Sequence, residues 1–117
     1  MVGLTTHILD LTHGTPAAGV DIQLMRIVDS THTLLKTSIT NEDGRLNEPL
    51  LSGEEMVVGE YELLFFIGDY FRGMEVTLSE PAFLNKISVR FGISDVDSHY
   101  HMPLLVSPWG YQVYRGS

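Results

Sequence analysis

The chain is predicted to fold as an all-β sandwich, and three observations carry that expectation. Seven or eight short stretches alternate apolar with polar residues, the period of two that a pleated strand imposes. Clusters of Gly, Pro, Asn and Asp punctuate them as turns. Only 68–73, Gly68-Asp69-Tyr70-Phe71-Arg72-Gly73, breaks the pattern as a single helical turn would, and no internal repeat or low-complexity segment intervenes.

Residues 4–11 read as the first strand, with Thr5, His7 and Leu9 on one face and Leu4, Thr6, Ile8 and Asp10 on the other. Thr12 to Pro16 is loop chemistry, and its His13 is read as solvated, with no role. Residues 20–28 form the next strand, Val20, Ile22 and Leu24 inward and Asp21 and Gln23 outward. Asp29-Ser30-Thr31-His32 is the connection to a strand at 34–40, and His32 at its tip is read as solvated too.

Asn41-Glu42-Asp43-Gly44 is a type I turn candidate that delivers Arg45 onto a short segment ending near Pro49 and Leu50. Gly53-Glu54-Glu55 reads as solubilising charge rather than a catalytic carboxylate pair. Residues 57–67 are the most strongly patterned strand, with Gly59, Tyr61, Leu63, Phe65 and Ile67 on one uncharged face. After the helical turn and a loop ending at Pro81, Ile87, Val89 and Phe91 alternate with Lys86, Ser88 and Arg90.

The last stretch, 99–117, is a hairpin. Tyr100, Met102, Leu104 and Val106 share one face of its first arm, and His99, His101, Pro103 and Leu105 the other. Ser107-Pro108-Trp109-Gly110 has Pro and Gly where a type I turn wants them. Closing that turn places Val106 opposite Tyr111, Leu104 opposite Val113, Met102 opposite Arg115 and His101 opposite Gly116. The hairpin is apolar or aromatic on both faces, with Pro103, Leu105 and Tyr114 away from the core, so its outer face is expected to pack on another subunit.

At 117 residues and 44% hydrophobic, the chain is expected to be one domain, 1–117. It has no cysteine, which excludes disulfides, thiolate nucleophiles and thiolate metal sites. Fifteen acidic against seven basic residues, a net charge of −8, argue against nucleic acid and anionic lipid surfaces as partners. The first residues, MVGLTTHILDL, carry neither a basic leader nor a long apolar run, so the expected location is cytoplasmic, with no membrane partner.

Three residues stand out together: His7 in mid-strand, Arg45 after a tight turn, and His101 beside Arg115-Gly116-Ser117. Two imidazoles titrate near neutrality and can divide proton work, while guanidinium donors suit a planar substrate with carbonyls or developing oxyanion charge. That set suffices to hydrolyse an amide without a covalent nucleophile. The competing pattern is a zinc site from His7, His99 and His101, which no carboxylate at ligand spacing completes and which nearby arginines oppose. Ser117, at a chain end, is a poor nucleophile elbow and better suited to binding substrate or relaying a proton.

LTTHILDLTHGTPAAGV, TNEDGR and HYHMPLLVSPWGYQVYRGS resemble the three signature blocks of the 5-hydroxyisourate hydrolases, transthyretin-like enzymes of urate breakdown. The similarity runs over essentially the whole chain. PAAGV and T-N-x-D-G are shared with many prealbumin-like modules and argue only for the sandwich. His7, Arg45, His101 and the terminal Tyr114-Arg115-Gly116-Ser117 discriminate, since transthyretin lacks that tetrapeptide.

The resemblance implies a transthyretin-like sandwich of two four-stranded sheets with one short helix, a homotetramer, and active sites in a channel where dimers meet. It implies cofactor-free, metal-free opening of the lactam ring of 5-hydroxyisourate to 2-oxo-4-hydroxy-4-carboxy-5-ureidoimidazoline. His7, Arg45, His101 and Ser117 would carry catalysis, and Arg45, Tyr114, Arg115, Gly116 and Ser117 would bind substrate. The alternative is a transthyretin-like carrier of a small molecule, which has no need of His7, Arg45 and His101 together.

Overall fold

The structure, a computed structural model, describes residues 2–116; the expectations for Ser117 lie outside the described residues. Strand β1 (Gly3–Asp10) sorts its side chains as its alternation demands, with Leu4, Thr6, Ile8 and Asp10 buried and Thr5, His7 and Leu9 half-buried on the outer face. Chain order continues with β2 (Thr15–Pro16), β3 (Asp21–Val28), β4 (Thr31–Ile39), β5 (Leu51–Ser52) and β6 (Gly59–Phe65). Helix α1 (Ile67–Gly73), β7 (Ile87–Ile93), β8 (Tyr100–Ser107) and β9 (Gly110–Val113) complete it. No helix among the described residues is long and apolar enough to cross a membrane.

The strands form two sheets, β2-β1-β8-β9 with β5 also on β1, and β4-β3-β6-β7. The first sheet thus has five strands rather than the expected four. The extra one arises because β2 pairs with Leu9 and Asp10 while β5 pairs with Gly3 and Leu4, so two short pieces share one edge of β1. Between them lies a gap opposite His7. On its other edge β1 runs parallel to β8, from Leu4 opposite Tyr100 to Asp10 opposite Val106. The final hairpin has the register its turn predicts: Val106 faces Tyr111, Leu104 faces Val113, and His101 bridges Gly116.

The core lies between the sheets, where Leu4, Ile8 and Leu104 of one meet Leu24, Leu63 and Phe65 of the other, all without solvent contact. Each such side chain stabilises the fold by roughly 1.5–3 kcal/mol through removal of apolar surface from water. Ile67, expected at the end of a strand, instead opens α1. Phe65 is the last residue of β6 with a partner on β3, Ile22, and past it the Phe66 N–H reaches the Asp21 carbonyl at 3.0 Å as the chain turns away.

Three loop expectations are corrected. The β3–β4 connection is only Asp29-Ser30, both with positive φ (49° and 68°), the two-residue turn whose twist suits a hairpin. Thr31 and His32 therefore belong to β4, and His32 accepts from the Arg90 guanidinium at 3.2 Å on the outer face of the second sheet. Glu62 beside it accepts from Ser88 Oγ at 2.8 Å.

His13 is exposed, as expected, but it has a structural role. Its Nδ1 donates to Asp10 Oδ2 at 2.5 Å, where the Tyr70 hydroxyl of α1 also donates at 2.7 Å. Asp10 Oδ1 accepts the Thr12 and His13 backbone N–H groups. Burial pushes this carboxyl up, but the bonds from Tyr70 and His13 outweigh it and hold Asp10 below the ordinary carboxylate value. The third correction is Glu55, which accepts from the Ser52 N–H at 3.1 Å and pairs with Lys36 at 2.7 Å, so it fastens its loop as well as adding charge.

Candidate active site

The gap in the edge of β1 is where the site is built. Arg45 fills it with a single antiparallel bridge to His7. The turn before it is closed by Asn41, whose Oδ1 accepts the Asp43 and Arg45 N–H groups at 2.9 and 3.2 Å while its own N–H donates to the Arg45 carbonyl at 2.7 Å. Gly44 docks this turn on β1: the Ile8 N–H donates to its carbonyl at 2.8 Å. Its φ is +73°, and a Cβ here would sit 2.4 Å from the Ile8 carbonyl oxygen, so only glycine fits.

That docking brings the Asp43 carbonyl to His7. The carbonyl can only accept, so the 2.9 Å contact is a donation from His7 Nε2–H, and the neutral ring carries its lone pair on Nδ1. Burial lowers the His7 pKa below its usual 6.5, the Arg45 charge lowers it further, and the bond to Asp43 only partly restores it. Among the described residues, no carboxylate forms an ion pair with Arg45.

His101 points to the same outer face from β8, directly opposite Thr5 of β1. Its pKa is lowered first by burial, then by the charges of Arg45, His7 and His99. Arg45 therefore acts on both imidazoles, and both are held below the ordinary histidine value. Thr5 Oγ1 lies 2.8 Å from His101 Nδ1 and 3.2 Å from His99 Nε2. No group of three His, Asp or Glu side chains gathers as a metal-ligand set among the described residues; His99 and His101 share a hydroxyl instead.

The terminal segment supports this face. The Gly116 N–H donates to the His101 carbonyl at 2.7 Å, and a Cβ on Gly116 would stand 3.1 Å from the His101 ring. Arg115 lies over the Tyr100 ring at 4.1 Å and donates to the His99 carbonyl at 3.2 Å, fastening the tail to the start of β8. Tyr114 and Arg115 line a cleft of about 240 Å³ between the edges of the two sheets. A recess of about 120 Å³ lies beside Arg45 and Thr5.

His7, Arg45 and His101 are thus brought together, with Gly116 against His101. Sequence reasoning missed Thr5, the Asp43 carbonyl and Gly44. Thr5 shares a face with His7 in the first strand's alternation, but its partner depends on the parallel pairing of β1 with β8, which no local pattern announces. Gly44 carried a signal as the last residue of a predicted turn.

A transthyretin-like sandwich whose outer sheet face carries a guanidinium and two imidazoles of lowered pKa is the class that fold and site define. Within that class, the chain belongs to the HIUase/Transthyretin family, whose model matches residues 4–116. It is 50% identical over 114 residues to the 5-hydroxyisourate hydrolase of Pseudomonas aeruginosa, a match covering 97% of this chain and 90% of that one. Among solved structures, it superposes on Klebsiella pneumoniae 5-hydroxyisourate hydrolase with a TM-score of 0.81 and 32% identity, covering 100% of both chains. Transthyretin from Sparus aurata gives a TM-score of 0.88 at 25% identity, over 99% of this chain and 97% of that one.

Proposed function

We propose that this chain hydrolyses 5-hydroxyisourate by opening its lactam ring, with His7, Arg45 and His101 as the catalytic groups. The observation that carries the reading is the single outer face on which a guanidinium stands beside two imidazoles whose pKa values burial and its charge lower. With Nε2–H occupied by the Asp43 carbonyl, His7 has its lone pair on Nδ1 and takes a proton from water. The resulting hydroxide adds to the lactam carbonyl carbon. Its oxygen becomes an oxyanion, stabilised by N–H donors of Arg45 and of neutral His101. Collapse breaks the carbon–nitrogen bond, the His7 imidazolium gives its proton to the departing nitrogen, and the new carboxyl group ionises to solvent.

The working unit in this proposal is a homotetramer that closes the site. The recess beside Arg45 is small in the single chain, and Trp109, Tyr111 and Tyr114 of the hairpin are left exposed. A solution mass equal to one chain at micromolar concentration would remove this part. The activity is tested by adding the protein to freshly generated 5-hydroxyisourate and following the ultraviolet decay. Acceleration over the spontaneous reaction is expected, and a time course identical to the spontaneous one overturns the reading.

A further inference from the structure

Thr5 stands between two imidazoles and has one hydroxyl hydrogen. It can donate to His101 Nδ1 or to His99 Nε2, and it must accept from the other. His99 decides between the two wirings. Its Nδ1 is buried and has no hydrogen-bond partner among the described residues. Were Thr5 to donate to His99 Nε2, the neutral His99 ring would carry its hydrogen on Nδ1, a buried donor with nothing to receive it. Such orphaned donors are rarer in folded proteins than unsatisfied acceptors.

The opposite wiring avoids this. His99 Nε2–H donates to Thr5, and Thr5 donates to His101 Nδ1. The distances agree, since 2.8 Å suits a hydroxyl donor and 3.2 Å lies at the long end for a ring N–H donor. Arg115 holds the start of this chain in place through the His99 carbonyl.

We infer that Thr5 and His99 are positioning residues that hold His101 in the tautomer with its hydrogen on Nε2, so that it presents an N–H donor to the reacting carbonyl oxygen. The inference rests on the reading of His101 as a donor to the oxyanion. The two site histidines are then set in complementary states by different partners. The Asp43 carbonyl leaves His7 a lone pair, and the hydroxyl of Thr5 leaves His101 an N–H.

The test reads the tautomer directly. In protein labelled with ¹⁵N-histidine at about pH 8, more than a unit above the ordinary histidine pKa, the His101 ring signals should show hydrogen on Nε2 and a hydrogen-bonded, unprotonated Nδ1. Thr5→Val should give mixed tautomers and lower kcat by about tenfold, the rate equivalent of one hydrogen bond, with KM unchanged. Thr5→Ser should restore both. His99→Phe should also mix the His101 tautomers, because Thr5 is then free to accept from His101. Hydrogen on His101 Nδ1 in the wild-type protein overturns the inference, as does a Thr5→Val spectrum unchanged at His101. The spectra need no turnover, so a protein with this tautomer and no hydrolase activity would sink the proposed function and leave the wiring standing.

Discussion

Replacing Gly44 by alanine tests how the fold makes the site. The added methyl group meets four obstacles: a φ of +73°, the Ile8 carbonyl oxygen at 2.4 Å, and the Ala17 nitrogen and Pro16 Cβ, each at 3.2 Å. The left-handed backbone alone costs an L-residue about 1–2 kcal/mol. The clash is with backbone, so it is relieved only by moving the turn off β1, which also removes the Ile8–Gly44 hydrogen bond, worth about 1 kcal/mol. The sum is a destabilisation of about 2–3 kcal/mol, which for a domain of this size lowers Tm by about 8–15 °C. Gly14→Ala is the control, because Gly14 has a similar φ of +68° but open space around its Cβ position. It should lose only the strain component. The turn also carries Arg45 and the Asp43 carbonyl, so Gly44→Ala should lower kcat by about tenfold or more at a temperature where the variant is still folded. A thermal scan and the decay of 5-hydroxyisourate measure the two effects. If Gly44→Ala melts no lower than Gly14→Ala and turns over at the wild-type rate, the docking of the turn does not position the site.

The remaining predictions concern titration and the helix contact. His7 and His101 have folded pKa values below 6.5, so the acidic limb of kcat/KM should be centred below that pH. An acidic limb centred above 6.5 would contradict this. In Arg45→Met, NMR titration of both imidazoles should show higher pKa values than in the wild type. For stability the sign follows from linkage. The unfolded chain binds protons at these histidines at higher pH than the folded one, so their contribution is intact above pH 6.5 and is lost as pH falls through the folded values. Asp10, held below 3.8, adds a second loss under that pH, and an acid titration followed by circular dichroism should show both. Asp10→Ala leaves the buried Tyr70 hydroxyl and two loop N–H groups without their acceptor and should cost about 3 kcal/mol in denaturant unfolding, against about 1 kcal/mol for His13→Ala. Equal values for the two variants would mean that Tyr70 finds another acceptor.

What is legible in the sequence, and what is not, divides along the range of the interactions. The final hairpin is legible to the residue because a four-residue turn with Pro and Gly sets its register, and that turn alone places His101 opposite Gly116. The Asn41–Gly44 turn is legible for the same reason, and with it the delivery of Arg45. The parallel pairing of β1 with β8 joins residues 96 apart at Thr5 and His101, and nothing local specifies it. Thr5 accordingly reads as one more outward residue. The Asp10–Tyr70 bond spans 60 residues and is hidden in the same way. His32 is misplaced for a local reason: Asp29 and Ser30 adopt the positive φ that a two-residue hairpin needs without a glycine to advertise it.

The proposed activity assigns hydrolysis of 5-hydroxyisourate to His7, Arg45 and His101 together. Its most direct test is one set of ultraviolet decay curves of freshly generated substrate, alone, with the wild-type protein, and with a variant carrying His7→Asn, Arg45→Met and His101→Asn whose circular dichroism matches the wild type. Rapid decay is expected with the wild-type protein and the spontaneous rate with the variant. A wild-type curve no faster than the spontaneous one, or a variant as fast as the wild type, would contradict it.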